Sequence, residues 1–217
     1  MATAKNYLAT YWGEIKYGFH VIVRPFDGFY DLKHEKRGSL RASFTIALAL
    51  ILVFLLEYQF SGFFFVTNIQ RTNASLVREA TIVLAPFFLW IVANWGFTTL
   101  MDGEGSMKDV AIATGYALLP IILVTVPIII VSNFVSLEER ALIESIRVLG
   151  IIWAGFLVFV SVIVTHQYTL PKTIITIGLS IVGMAVLFFI GLLIVTLTQQ
   201  VLSFFVTVYN EANLRWR

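Results

Sequence analysis

The stretch Asn94-Trp-Gly-Phe-Thr-Thr-Leu-Met-Asp-Gly-Glu-Gly-Ser-Met-Lys-Asp-Val-Ala-Ile-Ala-Thr-Gly-Tyr-Ala-Leu-Leu-Pro-Ile-Ile-Leu-Val-Thr-Val-Pro127 decides how this chain is read. It holds the end of one apolar run, a polar turn from Met101 to Lys108, and the start of a second run interrupted by Pro120 and Pro127. An α-helix needs about 20 apolar residues to cross a hydrocarbon core of about 30 Å, so two such runs around a tight turn predict a membrane hairpin. Strands are excluded, because a lone strand in lipid leaves its amides unpaired and these runs lack the alternation of a barrel strand.

Outward from the hairpin the pattern repeats. Of the 217 residues, 59% are hydrophobic and 13% charged, against roughly a quarter charged in a soluble domain. The fold class is therefore all-α, a polytopic membrane bundle with spans at about 40–63, 80–100, 110–131, 147–165 and 173–197. Residues 1–39 form a basic, amphipathic interfacial tail, and residues 201–217 an amphipathic C-terminal helix or tail. The charged tail ahead of the first span excludes a cleavable signal peptide. The absence of cysteine excludes disulfides, a thiol nucleophile and thiolate metal sites.

In the tail, Leu8, Tyr11, Trp12, Ile15, Phe19, Ile22 and Val23 recur at three- and four-residue steps, which predicts one apolar stripe on a surface-lying helix that stops at Pro25. Residues 26–39 then read as a turn and a charged collar. Lys5, Lys16, Arg24, Lys33, Lys36, Arg37 and Arg41 crowd the approach to the first span. They read either as a topology signal, placing the N-terminus in the cytoplasm, or as a docking patch for anionic lipid. Five spans then put the C-terminus outside.

Glu57 falls near the far interface of span 1, where it is a solvated carboxylate or a paired or proton-coupled one. Asn94 is polar enough to seek a neighbouring helix and so to hold the bundle together. In the turn, Gly103 and Gly105 supply backbone freedom, while Asp102, Glu104, Lys108 and Asp109 are solvated charges without the spacing of a calcium loop or a phosphate-binding loop. Pro120 and Pro127 are seven residues apart, so both gaps in the hydrogen-bond ladder are expected on one side, as a static kink or as the wall of a cavity. Ser39 is the expected N-cap of span 1, and Ser136-x-x-Glu139 fits a capping box. His166 reads as an interfacial side chain rather than a metal ligand, and Asn73-Ala74-Ser75 as an accidental glycosylation match.

Gly115-Tyr116-Ala117-Leu118-Leu119-Pro120, following a Gly-bearing turn and a Trp-bearing span, resembles the Gly-Tyr-Ser/Ala-Leu-Leu-Pro segment of the Yip domain family. That resemblance implies five spans, a cytoplasmic N-terminus and an exoplasmic C-terminus. Eukaryotic relatives bind Rab-type GTPases or organise vesicle membranes and carry an Asp-Leu-Tyr-Gly-Pro motif. Asp31-Leu32-Lys33-His34 departs from it, so a GTPase partner is not expected. The short tail resembles the bacterial members, which points to a bacterial cell membrane.

The functional expectation is a non-enzymatic scaffold or accessory subunit that binds or organises other membrane proteins or lipids. A small transporter or channel component, built on the broken third helix, Asn94 and Glu57, is the alternative. No His-Glu-x-x-His, Gly-x-Ser-x-Gly or intramembrane aspartate pair suggests an enzyme. Nothing suggests a metal, a cofactor or a nucleic-acid partner; the expected partners are the lipid bilayer and another integral membrane protein.

Overall fold

The computed structural model describes residues 2–62, 65 and 75–215, except for the side chains of 2–10 and 212–215. The chain forms α1 (Ala2–Val23), α2 (Pro25–His34), α3 (Leu40–Phe60), α4 (Leu76–Leu100), α5 (Met107–Ala117), α6 (Leu119–Val131), a 3₁₀ turn (Leu137–Glu139), α7 (Arg140–His166) and α8 (Leu170–Arg215). Among the described residues, five stretches are long and apolar enough to cross a membrane: α3, α4, α5 with α6, the 3₁₀ turn with α7, and α8 as far as Glu211. The side chains of Lys5 and Leu8 lie outside the described residues, as do Asn73 and Ala74 of the sequon.

Helix ends follow the local chemistry. Ser39 caps α3 by accepting from the Ala42 amide at 3.2 Å, and Ser75 caps α4 from the Arg78 amide at 3.1 Å. The capping box of Ser136 and Glu139 forms as expected, and the helix behind it runs without a break into the fourth span. α3 lies centrally, packing on α4, α5 and α6, while α7 closes the bundle against α5 and α6.

Two expectations about the leader are corrected. Residues 25–34 are helical rather than a turn, because Pro25 occupies the first turn of α2, where its missing amide hydrogen costs nothing and its fixed φ suits the helix. The leader is also not a helix with a single greasy stripe. Val21, Phe29 and Leu32 are buried with Ala42, Ile46, Tyr116 and Leu157 in the main core, whereas Trp12, Phe19 and Val23 are 61%, 58% and 78% exposed. α1 thus has two apolar faces, one capping the bundle and one turned outward, where the Trp12 indole suits a headgroup layer.

The third crossing is a helix in two pieces. Leu118 ends α5 and begins α6, and Pro120 follows in the first turn of α6. Pro120 and Pro127 both lie in α6, seven residues or about two turns apart on one continuous helix. They differ in burial: Pro120 is buried and Pro127 exposed.

α8 is one helix of 46 residues, about 69 Å at about 1.5 Å per residue. The expected span at 173–197 and the tail beyond it are therefore continuous. Thr173, Thr176 and Ser180 are buried against α4, but residues 188–211 are all exposed.

Candidate functional site

The turn between α4 and α5 is the joint of one end of the molecule. Ser106 and Asp109 form a reciprocal capping box at the start of α5, with the Ser106 amide donating to the Asp109 carboxylate at 3.0 Å and the Asp109 amide to the Ser106 hydroxyl at 3.3 Å. Glu104 reaches across to Lys33 of α2 at 3.2 Å. The Gly105 amide donates to Nδ1 of His166 at 3.3 Å, which assigns the proton to Nε2. His166 closes α7 and is 2% exposed, its ring covered by the turn, and its Nε2 has no hydrogen-bond partner among the described residues. The Tyr168 hydroxyl lies 3.1 and 3.0 Å from the carbonyls of Thr98 and Met101, and Lys172 sits 4.4 Å over its ring. Burial, and then Asp102, raise the Tyr168 phenol above its usual pKa.

The turn glycines are needed for a different reason than expected. No glycine among the described residues has positive φ; the left-handed position is Asp102, at φ 53. A Cβ on Gly103 would stand 2.7 Å from both His166 Nδ1 and the Tyr168 hydroxyl, and one on Gly105 would stand 2.6 Å from Thr165 Cγ2. The glycines let the turn lie flat on the α7–α8 corner. Lys108 and Asp102 are exposed, and Asp109 is spent on its cap.

The Gly-Tyr-Ala-Leu-Leu-Pro segment is a packing hub. A Cβ on Gly115 would meet Ser43 Cα at 2.7 Å, and the Ser43 hydroxyl donates to the Ala111 carbonyl at 2.6 Å. Tyr116 is fully buried and donates to the Glu14 carbonyl at 2.9 Å. Leu119 packs beneath Gly18 of α1. Glu14 in turn accepts from the Ser39 hydroxyl at 2.5 Å. The segment therefore holds α3 and α1 on either side of α5.

Asn94 lies fully buried and donates to Ser180 of α8 at 3.2 Å, so it does join helices. Glu57 is paired, with Arg147 of α7 at 2.5 Å, and Arg147 also reaches Glu144 at 3.2 Å. Sequence reading missed this partner because Arg147 is 90 positions away, read only as a span boundary. Of the basic leader residues, Lys16, Arg24, Lys36, Arg37 and Arg41 are exposed, while the Lys33 side chain is 13% exposed and belongs to the turn joint. Arg37 pairs with Glu35 at 2.6 Å and lies 5.4 Å over the Tyr17 ring. Burial, and then a 2.5 Å hydrogen bond to Asp31, raise the Tyr17 phenol. Among the described residues, no group of three or more His, Asp or Glu could hold a metal ion.

These features define a polytopic α-helical membrane protein whose third crossing is locked to a basic leader. The family model of the Yip1 domain matches residues 19–207, and the chain belongs to that family. No curated protein and no solved structure matches it.

Proposed function

We propose that this Yip1-domain chain is a non-enzymatic organiser that holds another integral membrane protein, with α8 as the docking helix. The observation that supports this reading is the free length of α8. A helix crosses about 30 Å of hydrocarbon in about 20 residues, yet α8 stays apolar far past that length, with Leu193, Leu197, Val201, Phe204, Phe205 and Val208 all exposed. Apolar surface beyond the bilayer core is costly in water at about 25 cal/mol per Å2, so a partner that covers it is favoured.

The leader and the 101–106 turn face the cytoplasm in this reading, supported by the exposed Lys16, Arg24, Lys36, Arg37 and Arg41 at that end. A transporter draws less support, since Asn94 is bonded to Ser180, Glu57 is paired with Arg147, and Pro127 lies on an outer face.

In-cell photocrosslinking tests the proposal, with the crosslinker at Phe204 and a control at Leu48, which is 58% exposed on the well-packed α3. A discrete protein adduct at 204 and only lipid adducts at 48 are expected. Lipid adducts alone at both positions overturn the reading.

A further inference from the structure

The end of the bundle away from the leader holds a polar chamber of about 380 Å3 between α3, α4 and α7, walled by Glu57, Glu79, Arg140, Glu144 and Arg147. Its charges are unevenly satisfied. Arg147 is already engaged by two carboxylates, Glu57 and Glu144. The Glu79 side chain is 2% exposed; its Oε1 lies 3.7 Å from Arg78 Nε, beyond hydrogen-bond reach, and has no hydrogen-bond partner among the described residues. Arg140 is exposed on the rim and has no ion-pair partner among the described residues. A buried carboxylate oxygen left without a donor is costly, which marks Glu79 as an acceptor waiting for a ligand.

A second cavity, of about 310 Å3 and mostly apolar, adjoins the first and shares Phe54 and Arg147 with it. Its floor includes Val124 and Ile151. Ile151 lies one helical turn deeper into α7 than Arg147, and Phe54 nearly one turn deeper into α3 than Glu57. Polar recognition therefore sits near the ends of the helices, and an apolar recess opens on its bilayer side.

We propose that this paired cavity binds a phospholipid whose headgroup carries a primary ammonium. The ammonium donates to Glu79, the phosphate is held by Arg140, and one acyl chain enters the recess at Phe54 and Ile151. A primary ammonium supplies the N–H donor that Glu79 Oε1 lacks, whereas a trimethylated headgroup has none. An anionic headgroup fits poorly, because three carboxylates face two guanidiniums in the chamber. The site is independent of α8, so it stands or falls apart from the partner reading.

The test is native mass spectrometry of the full chain in detergent with phosphatidylethanolamine, phosphatidylcholine, phosphatidylglycerol or water-soluble phosphoethanolamine. Phosphatidylethanolamine is expected to be retained about tenfold or more over the other two lipids, and Glu79→Gln should abolish that preference. Arg140→Gln should weaken all three lipids alike. Should Glu79→Gln fail to fold, Ile151→Trp fills the recess while leaving the chamber intact, and it should displace the lipid. Equal retention of phosphatidylethanolamine and phosphatidylcholine overturns the proposal, as does a preference untouched by the variants. Binding of phosphoethanolamine as tight as that of the lipid, and unchanged by Ile151→Trp, assigns the chamber to a soluble zwitterion and overturns the lipid assignment.

Discussion

The hydroxyl of Tyr116 donates to the backbone carbonyl of Glu14 at 2.9 Å, tying the third crossing to the leader across 102 residues of sequence. Tyr116→Phe keeps the ring in the core but removes that bond to the leader, at a cost of about 1 kcal/mol. Tyr116→Ala also opens a cavity and should cost about 3–5 kcal/mol. Thermal unfolding in detergent ranks the two. A cysteine placed at Ile15 in the cysteine-free chain should become more reactive to maleimide in both variants, and most in the alanine one.

The turn glycines give a sharper contrast. Gly103→Ala and Gly105→Ala press a methyl group into His166, Tyr168 or Thr165 and should each destabilise by about 1–3 kcal/mol. Gly96 and Gly155 have open space where a Cβ would go, so alanine there should be neutral or stabilising by up to about 1 kcal/mol. Unfolding midpoints of the four variants, measured side by side, check both halves.

The Glu57 and Arg147 side chains are 14% and 24% exposed, so breaking the pair from one side leaves a poorly solvated charge. Arg147→Met should cost about 3–5 kcal/mol. Glu57→Gln should cost less, because Glu144 still faces Arg147. The double variant should recover part of the Arg147→Met loss, and a double-mutant cycle on denaturation midpoints reads that coupling.

By contrast, Glu104 is 58% exposed, and its pair with Lys33 is solvent-screened. Its coupling should be about 1 kcal/mol or less and should shrink as salt rises. The same cycle at low and high salt measures it.

The five crossings were legible because their hydropathy is a property of contiguous residues, and Ser39 and Ser136 announced helix starts because capping is local. The Ser106–Asp109 box was equally local and was overlooked beside the turn glycines. Pro25 misled because proline marks both the end of one helix and the first turn of the next. Val21 and Trp12 show the deeper limit. A leader with two apolar faces gives no sign in its own sequence of which face the bundle will take. The pairings of Glu57 with Arg147, Gly105 with His166 and Tyr116 with Glu14 depend on how separate helices meet, which no local pattern encodes. The family segment pointed to a fold, and the structure supplies its physical reason: Gly115 admits Ser43, and Tyr116 anchors the leader.

The central claim is that five crossings place the leader and the 101–106 turn at one face and the 132–139 connection at the other. Single cysteines at Lys36, Lys108, Phe134 and Glu138, all exposed, can be labelled in intact cells with a membrane-impermeant maleimide. The account predicts labelling at 134 and 138, with 36 and 108 reacting only after the membrane is opened. Labelling of 108 together with 134 in intact cells would contradict it.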